Sequence, residues 1–234
     1  MKVIITCEHG GNKIPKKYSY LFSSNENILT THKGYDFGAL KLAEEIFKKA
    51  GDYFYYSQAS RLLVDLNRSI TNKNLFSGFT KKLSRKEKDE LLKKHYFPFR
   101  NKVENQIREL IKQKNIIIHI SVHSFTPVLN NKVRNADIGL LFDPKRKKEK
   151  DFAVLFRNEF SLLEANLKIR FNYPYLGISD GLTSYLRKKF NGKEYIGIEL
   201  EINQKYILND KNKWKDLKKN LKDVLASVLT KTLF

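Results

Sequence analysis

Short apolar runs alternate along the chain with segments in which apolar residues recur every three or four positions. The short runs, rich in β-branched and aromatic residues, predict strands at residues 2–6, 53–56, 61–69, 116–122, 136–142, 168–171 and 195–203. The segments with a helical period predict helices at residues 37–50, 84–114, 147–166, 182–190 and 213–231. Pro98 is expected to kink or divide the second of these helices.

Strand and helix alternate from one end of the sequence to the other. This order predicts an α/β fold in three layers, α/β/α, around a mostly parallel or mixed central sheet. The sequence contains no repeats, linkers or low-complexity stretches, so we expect residues 1–234 to form a single domain.

Composition narrows the class of protein. Hydrophobic residues make up 41% of the chain, which provides for a sizeable core and argues against disorder. The sequence has neither an apolar run of membrane-spanning length nor a signal-peptide pattern at its start, so we expect no membrane partner. The single cysteine, Cys7, excludes an intrachain disulfide and favours a reducing, cytoplasmic location.

The chain is strongly basic, since 45 Lys and Arg residues against 25 Asp and Glu residues give a net charge of +20. Such a charge favours acidic substrates and could bind nucleic acid nonspecifically. The lysines, however, are spread through nearly every predicted helix and are not gathered into one patch. We therefore weigh a solvated basic surface above nucleic-acid binding.

Candidate chemistry lies where predicted strands end. His9 follows the first strand beside Gly10 and Gly11, and His123 closes the strand that begins at residue 116. Catalytic groups of open α/β sheets cluster at the carboxyl ends of strands, although a lone histidine there usually caps a loop. Two histidines and a carboxylate form a typical catalytic zinc set that leaves one coordination position for water.

Several carboxylates could complete such a site, and each also has an ordinary structural interpretation. Asp36 stands where an N-cap of the helix at 37–50 would stand, but it could also point into the site. Glu199 and Glu201 share one face of an alternating strand. That face is solvated if the strand lies at an edge, whereas in a central strand the two carboxylates need partners or a function.

A polar cluster follows the apolar run at residues 61–66. Asp65, Asn67 and Arg68 could form an Asx turn with a surface arginine. Alternatively, Asn67 and Arg68 could form a clamp for a carboxylate, because an arginine side chain binds a carboxylate with two parallel hydrogen bonds.

Together these segments resemble the N-formylglutamate amidohydrolase family, whose members remove formate from N-formyl-L-glutamate. The resemblance runs from residue 3 to about residue 206 and extends to the wider zinc carboxypeptidase-like fold. It is carried by CEHGGN (7–12), GYDFGA (34–39), RLLVDLNRS (61–69), SVHSFTP (121–127) and GIELEIN (197–203).

The resemblance implies a role for each matched residue. It makes His9 and His123 zinc ligands and makes Asn67 with Arg68 the carboxylate clamp. Asp65 would orient a metal-bound imidazole. Glu199 matches the general base best by its Ile-Glu-Leu setting, with Glu201 as the close alternative.

One position departs from the carboxypeptidase pattern His-x-x-Glu, because residue 12 is asparagine. An amide is a poor zinc ligand, so we take Asp36 as the third ligand, with Asn12 or Glu8 as alternatives. Arg61 and Arg134 are further candidates for binding substrate carboxylates, although Arg134 could equally be a surface residue in a loop.

The resulting expectation is a zinc-dependent hydrolase of a linear amide bond, acting on N-formyl-L-glutamate or a similar anionic N-acyl amino acid. Another divalent metal could replace zinc. The alternatives are a related zinc hydrolase of another N-acyl amino acid or a peptide, and a non-enzymatic basic protein that binds nucleic acid.

Overall fold

The computed structural model describes residues 1–232, and a six-stranded sheet lies at its centre in the order β2-β1-β3-β8-β6-β7. Strands β2, β1, β3 and β8 run parallel, β6 is antiparallel to β8, and β7 is parallel to β6. A two-stranded hairpin, β4-β5, lies outside this sheet. The strands are β1 (Lys2–Cys7), β2 (Tyr53–Tyr56), β3 (Ile117–Phe125), β4 (Val128–Leu129), β5 (Lys132–Val133), β6 (Ile138–Leu141), β7 (Ile169–Phe171) and β8 (Tyr195–Asn203).

Helices cover both faces of the sheet, which confirms the predicted three-layer α/β architecture. Buried side chains of α1, α4 and α7 pack on one face, and those of α3 and α5 pack on the other. The helices are α1 (Ala39–Ala50), α2 (Arg85–Leu91), α3 (Phe97–Lys112), α4 (Lys147–Leu163), α5 (Leu182–Lys189), α6 (Lys205–Asn209) and α7 (Lys211–Lys231). Within residues 1–232, no helix combines the length and the apolar character that crossing a membrane requires.

The two faces of the central strand β3 differ in chemistry. Ile118, Ile120 and Val122 point into the large core shared with α1, α4 and α7. The alternate positions, which face α3 and α5, begin apolar at Ile117 and become polar toward the carboxyl end of the strand. The period of two therefore places the polar side chains of β3 on one face, at the end of the sheet where catalytic groups gather.

Residues 61–69 form turns and not the predicted strand. The Asp65 carboxylate accepts a hydrogen bond from the Asn67 backbone amide at 2.9 Å, and this Asx turn competes with extended backbone. The apolar residues of the segment, Leu63, Val64 and Leu66, are buried in two small clusters beside the sheet. Residues buried in a turn beside the sheet therefore show the same apolar run in the sequence as a buried strand would.

The first helix begins two residues later than predicted, and Asp36 is not its N-cap. Gly38 occupies that position with a φ of 72°, a left-handed conformation that glycine adopts without steric cost. The backbone amide of Asp36 instead donates to the His9 carbonyl at 2.9 Å. The Asp36 carboxylate is therefore available to the strand ends.

The predicted division of the second helix is confirmed. A capping box at Ser84 opens α2, a π-helical turn at Leu92–Tyr96 follows, and α3 carries Pro98 in its first turn. Proline has no amide hydrogen to donate to the carbonyls of the preceding turn, and the α-helical pattern gives way there to a π-helical turn.

His119, a buried histidine of β3, predicts a pH-dependent stability. Its ring nitrogens are hydrogen-bonded to Thr6 at 2.8 Å and Tyr195 at 2.7 Å, and burial lowers its pKa from 6.5 to about 4. Between these values the unfolded chain binds a proton that the folded chain does not. Stability is therefore lost as pH falls from about 6.5 to 4.

We expect His119→Gln to remove this contribution. Urea unfolding of both proteins at several pH values between 4 and 7 measures it, and the free energy of unfolding should depend less on pH in the variant. An unchanged pH slope would show that His119 is not the group responsible.

Candidate active site and metal centre

The carboxyl ends of three parallel strands and three adjoining loops form one pocket of about 220 Å³. β1 delivers His9, β3 delivers His123, and β8 delivers Glu199 and Glu201. Glu201 is the register partner of His123 in the neighbouring strand. The pocket is lined by His9, Asp36, Arg61, Asn67, Arg68, His123, Ser124, Tyr175, Leu176, Ser179, Asp180, Glu199 and Glu201.

His9, Asp36 and His123 form a compact buried cluster, with one ligand atom from each residue within 4.8 Å of the others. The Asp36 carboxylate lies 2.8 Å from Nδ1 of His123 and 3.5 Å from Nδ1 of His9. The histidines are 114 positions apart in the chain, yet their ring centroids are 5.1 Å apart. The sheet therefore brings together two imidazoles and one carboxylate, a donor set that fits a divalent metal.

Nε2 of His9 and Nε2 of His123, the ring nitrogens that face away from Asp36, are each hydrogen-bonded to another polar group. Nε2 of His9 lies 2.7 Å from the Asp65 carboxylate. Nε2 of His123 lies 2.9 Å from the Ser121 hydroxyl and 3.1 Å from the Glu8 carboxylate. Metal-binding histidines are commonly oriented in this way, so both Nδ1 atoms are turned toward Asp36 and away from their orienting partners.

Two observations test whether these residues fit a metal. Nδ1 of His9 is buried and has no hydrogen-bond partner within residues 1–232, which is costly unless another group binds it. Burial raises the pKa of Asp36, but His9, His123 and Arg61 outweigh burial and lower it below its usual value. Asp36 is therefore an anionic oxygen donor beside an unpaired imidazole nitrogen, and the set fits a divalent cation.

Arg61 joins the two aspartates that contact the histidines. Its guanidinium donates to Asp36 at 3.3 Å and to Asp65 at 3.0 Å. The same guanidinium lines the pocket, as a substrate-binding residue would. Its two terminal nitrogens, however, are already committed to carboxylates.

Asn67 and Arg68 lie on the pocket wall beside a carboxylate from another loop. The Asn67 carbonyl oxygen accepts from the Leu182 backbone amide at 2.6 Å, and its amide nitrogen is 3.4 Å from Nε2 of His123. Arg68 donates to the Asp180 carbonyl at 2.8 Å, and 34% of its side chain remains exposed. Arg68 therefore retains donors that face the pocket.

Asp180 fixes the loop that carries Asn67 and Arg68. Its carboxylate accepts from the Ser69 backbone amide at 3.0 Å and from the Asn72 side chain at 2.5 Å. The sequence patterns did not single out Asp180. The contacts join residues more than 100 positions apart, so no local signal reveals them.

The two glutamates of β8 have different surroundings. Glu199 accepts a hydrogen bond from the Thr183 hydroxyl. Glu201 has a buried carboxylate oxygen without a hydrogen-bond partner in the described chain. Burial, with repulsion by Asp36 and Glu199, outweighs the attraction of His123 and raises the pKa of Glu201 to about 7. β8 is a central strand, so the solvated-edge interpretation of these glutamates is wrong.

The remaining candidates lie at or beyond the edge of the pocket. Asn12 is not among the lining residues, whereas Glu8 lies against His123 on the side away from Asp36. Arg134 contacts the pocket residue Tyr175 but does not itself line the pocket. Sequence reasoning missed Ser121 as a partner of His123. The alternation of β3 could have revealed it, because Ser121 and His123 share one face.

Comparisons with known proteins agree with this geometry. A family model described as N-formylglutamate amidohydrolase matches residues 1–208. The crystal structure of gene product Atu2144 from Agrobacterium tumefaciens has a TM-score of 0.80 and 26% identity, over 98% of this chain and 91% of that one. No curated protein sequence matched.

A second solved structure shares the fold at lower identity. N-formylglutamate amidohydrolase from Ralstonia eutropha JMP134 has a TM-score of 0.72 and 14% identity, over 97% of this chain and 92% of that one. With the family model matching most of the sequence, the assignment rests on more than fold, and this chain belongs to the N-formylglutamate amidohydrolase family.

Proposed function

We propose that this protein is a zinc-dependent hydrolase that converts N-formyl-L-glutamate and water to L-glutamate and formate. The observation that carries the proposal is the buried His9, Asp36 and His123 cluster, which opens into the same pocket as Arg68 and Glu201. Family membership supports amide hydrolysis. The donor set supports zinc, which binds nitrogen and carboxylate ligands and leaves a position for water.

His9, His123 and Asp36 would hold the metal, with Asp65 and Glu8 orienting the two imidazoles. When bound, zinc supplies a Lewis acid for the formyl carbonyl and lowers the pKa of a water molecule. The protein contributes the geometry, because each imidazole is fixed by hydrogen bonds before any ligand arrives.

Glu201 is the general base in this proposal. The sequence match favoured Glu199, but the Glu199 carboxylate is bound by the Thr183 hydroxyl, whereas Glu201 lies opposite His123 with an unpaired oxygen. Glu201 takes a proton from the attacking water and passes it to the leaving amine nitrogen. The C–N bond breaks, the formyl carbon leaves as formate, and the amino acid leaves with a free amine.

Arg68 binds the α-carboxylate of the substrate in this arrangement, with the Asn67 amide nitrogen beside it. The free donors of Arg68 face the pocket, and a guanidinium matches a carboxylate with two parallel hydrogen bonds. This contact would hold the amino acid while its formyl group lies toward the two histidines.

Formate release tests the proposal. Purified protein is stripped of metal, supplied with one equivalent of zinc, and given N-formyl-, N-acetyl- or N-succinyl-L-glutamate. We expect zinc-dependent hydrolysis with the highest kcat/KM for the formyl compound. A higher kcat/KM for another acyl group would make that compound the assigned substrate. Absence of formate from every formylated amino acid would reject the proposed reaction.

A further inference from the structure

The pocket contains too few free cations for a substrate with two carboxylates. Two arginines line it, and the terminal nitrogens of Arg61 already bind Asp36 and Asp65. Arg68 is left to bind one carboxylate. Glu199 and Glu201 on the same wall would repel a second one. The charge of Arg61 is already paired with two carboxylates, so a further cation beside the lining would favour a dianion.

Arg134 lies beyond the carboxyl ends of β3 and β8 and contacts the pocket residue Tyr175. It directly follows β5, and its backbone amide donates to the Pro127 carbonyl at 2.8 Å. Its own carbonyl accepts from the side chain of Asn203, the last residue of β8, at 3.5 Å. These two bonds attach the base of the β4-β5 hairpin to the carboxyl ends of the strands that carry His123 and Glu201.

The Arg134 guanidinium is held beside the pocket residue Tyr175, and only part of its hydrogen-bonding capacity is used. It lies 5.1 Å from the ring centroid of Tyr175 and 5.9 Å from that of Phe125. Nη2 donates to the Tyr175 hydroxyl at 3.1 Å. Nη1 is buried without a hydrogen-bond partner among residues 1–232. Tyr175 lines the pocket and is 46% exposed, so its hydroxyl connects this cation to the pocket.

We propose that Arg134 and the Tyr175 hydroxyl bind the side-chain carboxylate of an N-acyl dicarboxylic amino acid. This inference rests on the proposed function, because it assigns the second carboxylate of that substrate. Arg68 holds the α-carboxylate and Arg134 the distal one, so Arg134 distinguishes a dianionic from a monoanionic substrate. The neighbouring rings of Tyr175 and Phe125 restrict the guanidinium and so reduce the entropy lost on binding.

A pair of isosteric substrates provides the test. N-formyl-L-glutamate and N-formyl-L-glutamine differ only in the charged oxygen of the side chain. We expect Arg134→Gln to lower kcat/KM for the glutamate compound about 10- to 100-fold, mainly through KM. The glutamine compound should change less than about threefold, and Arg134→Lys should retain part of the preference.

Arg170→Gln is the matched control. Arg170 also lies against a tyrosine, with its guanidinium carbon 4.2 Å from the Tyr173 ring centroid, but Tyr173, unlike Tyr175, is not among the residues that line the pocket. We expect it to leave both substrates unaffected. An equal loss on both substrates for Arg134→Gln, or no loss on either, would overturn the assignment of Arg134.

A binding measurement separates this inference from the proposed function. Calorimetric titration of zinc-loaded protein with L-glutamate and L-glutamine requires no turnover. Tighter binding of glutamate that disappears in Arg134→Gln supports the inference even if no formate is released, in which case the proposed reaction alone fails. Equal affinities of wild-type and variant for L-glutamate would overturn the inference while leaving formate release to decide the reaction.

Discussion

Replacing His123 with alanine should remove zinc from the protein and abolish hydrolysis. His123 supplies one of two imidazoles in the cluster, and its Nδ1 lies 2.8 Å from Asp36. Loss of an orienting partner alone typically costs 10- to 100-fold in metal affinity, so loss of a ligand should cost at least about 100-fold. Metal content after dialysis, and calorimetric titration with zinc, measure the effect.

His95→Ala is the matched control for this variant. His95 is a partly buried histidine in the π-helical turn before α3, and it lines a separate groove beside β2. We expect it to keep one zinc per chain and wild-type turnover. Should His123→Ala bind zinc with wild-type affinity, the cluster would not be the metal centre.

Replacing Glu201 with glutamine should lower kcat by about 100- to 10,000-fold while zinc stays bound. Glutamine has nearly the same shape but does not accept a proton from water at neutral pH. Glu201 lies opposite His123 and has an unpaired carboxylate oxygen, so the change removes the base without removing a metal ligand. Single-turnover kinetics and metal analysis of the same sample separate the two effects.

Glu199→Gln provides the direct comparison, because Glu199 shares the strand face and the pocket. An amide oxygen at position 199 could still accept from the Thr183 hydroxyl, so we expect a loss below about tenfold. The opposite ranking of the two variants would assign the proton transfer to Glu199 and leave Glu201 a supporting role.

The sequence was sufficient to place the two histidines near one another. Both follow or end apolar runs that are clear strands, and parallel strands bring their carboxyl ends to one edge. Asp36 could also be identified from the sequence as a candidate, because it stands just before a strongly periodic helix. Asp36 does not cap that helix, because Gly38 in a left-handed conformation is the N-cap. The periodicity did not reveal this conformation.

Other features depended on contacts that local patterns do not encode. Leu63, Val64 and Leu66 are buried in clusters beside the sheet, and their burial gives the sequence the pattern of a strand. The difference between Glu199 and Glu201 comes from Thr183, which reaches one of them from helix α5. Alternation places both glutamates on one face, but only the packing of α5 determines which is satisfied.

Arg61 illustrates a similar limit. Its position before Asp65 is compatible with substrate binding or with a structural role, since both need a guanidinium near the site. Its two hydrogen bonds, to Asp36 and Asp65, are known only once the loops are folded. Because Arg61 is already paired with two carboxylates, the proposed site takes Arg134 as the anchor for the second substrate carboxylate.

The most direct test of the metal centre is anomalous diffraction from crystals of the protein grown with zinc, recorded at the zinc absorption edge. We expect one strong peak per chain, about 2.0–2.2 Å from Nδ1 of His9, Nδ1 of His123 and a carboxylate oxygen of Asp36. A zinc peak elsewhere, with His9 and His123 free of metal, would contradict the proposed centre and the hydrolysis derived from it.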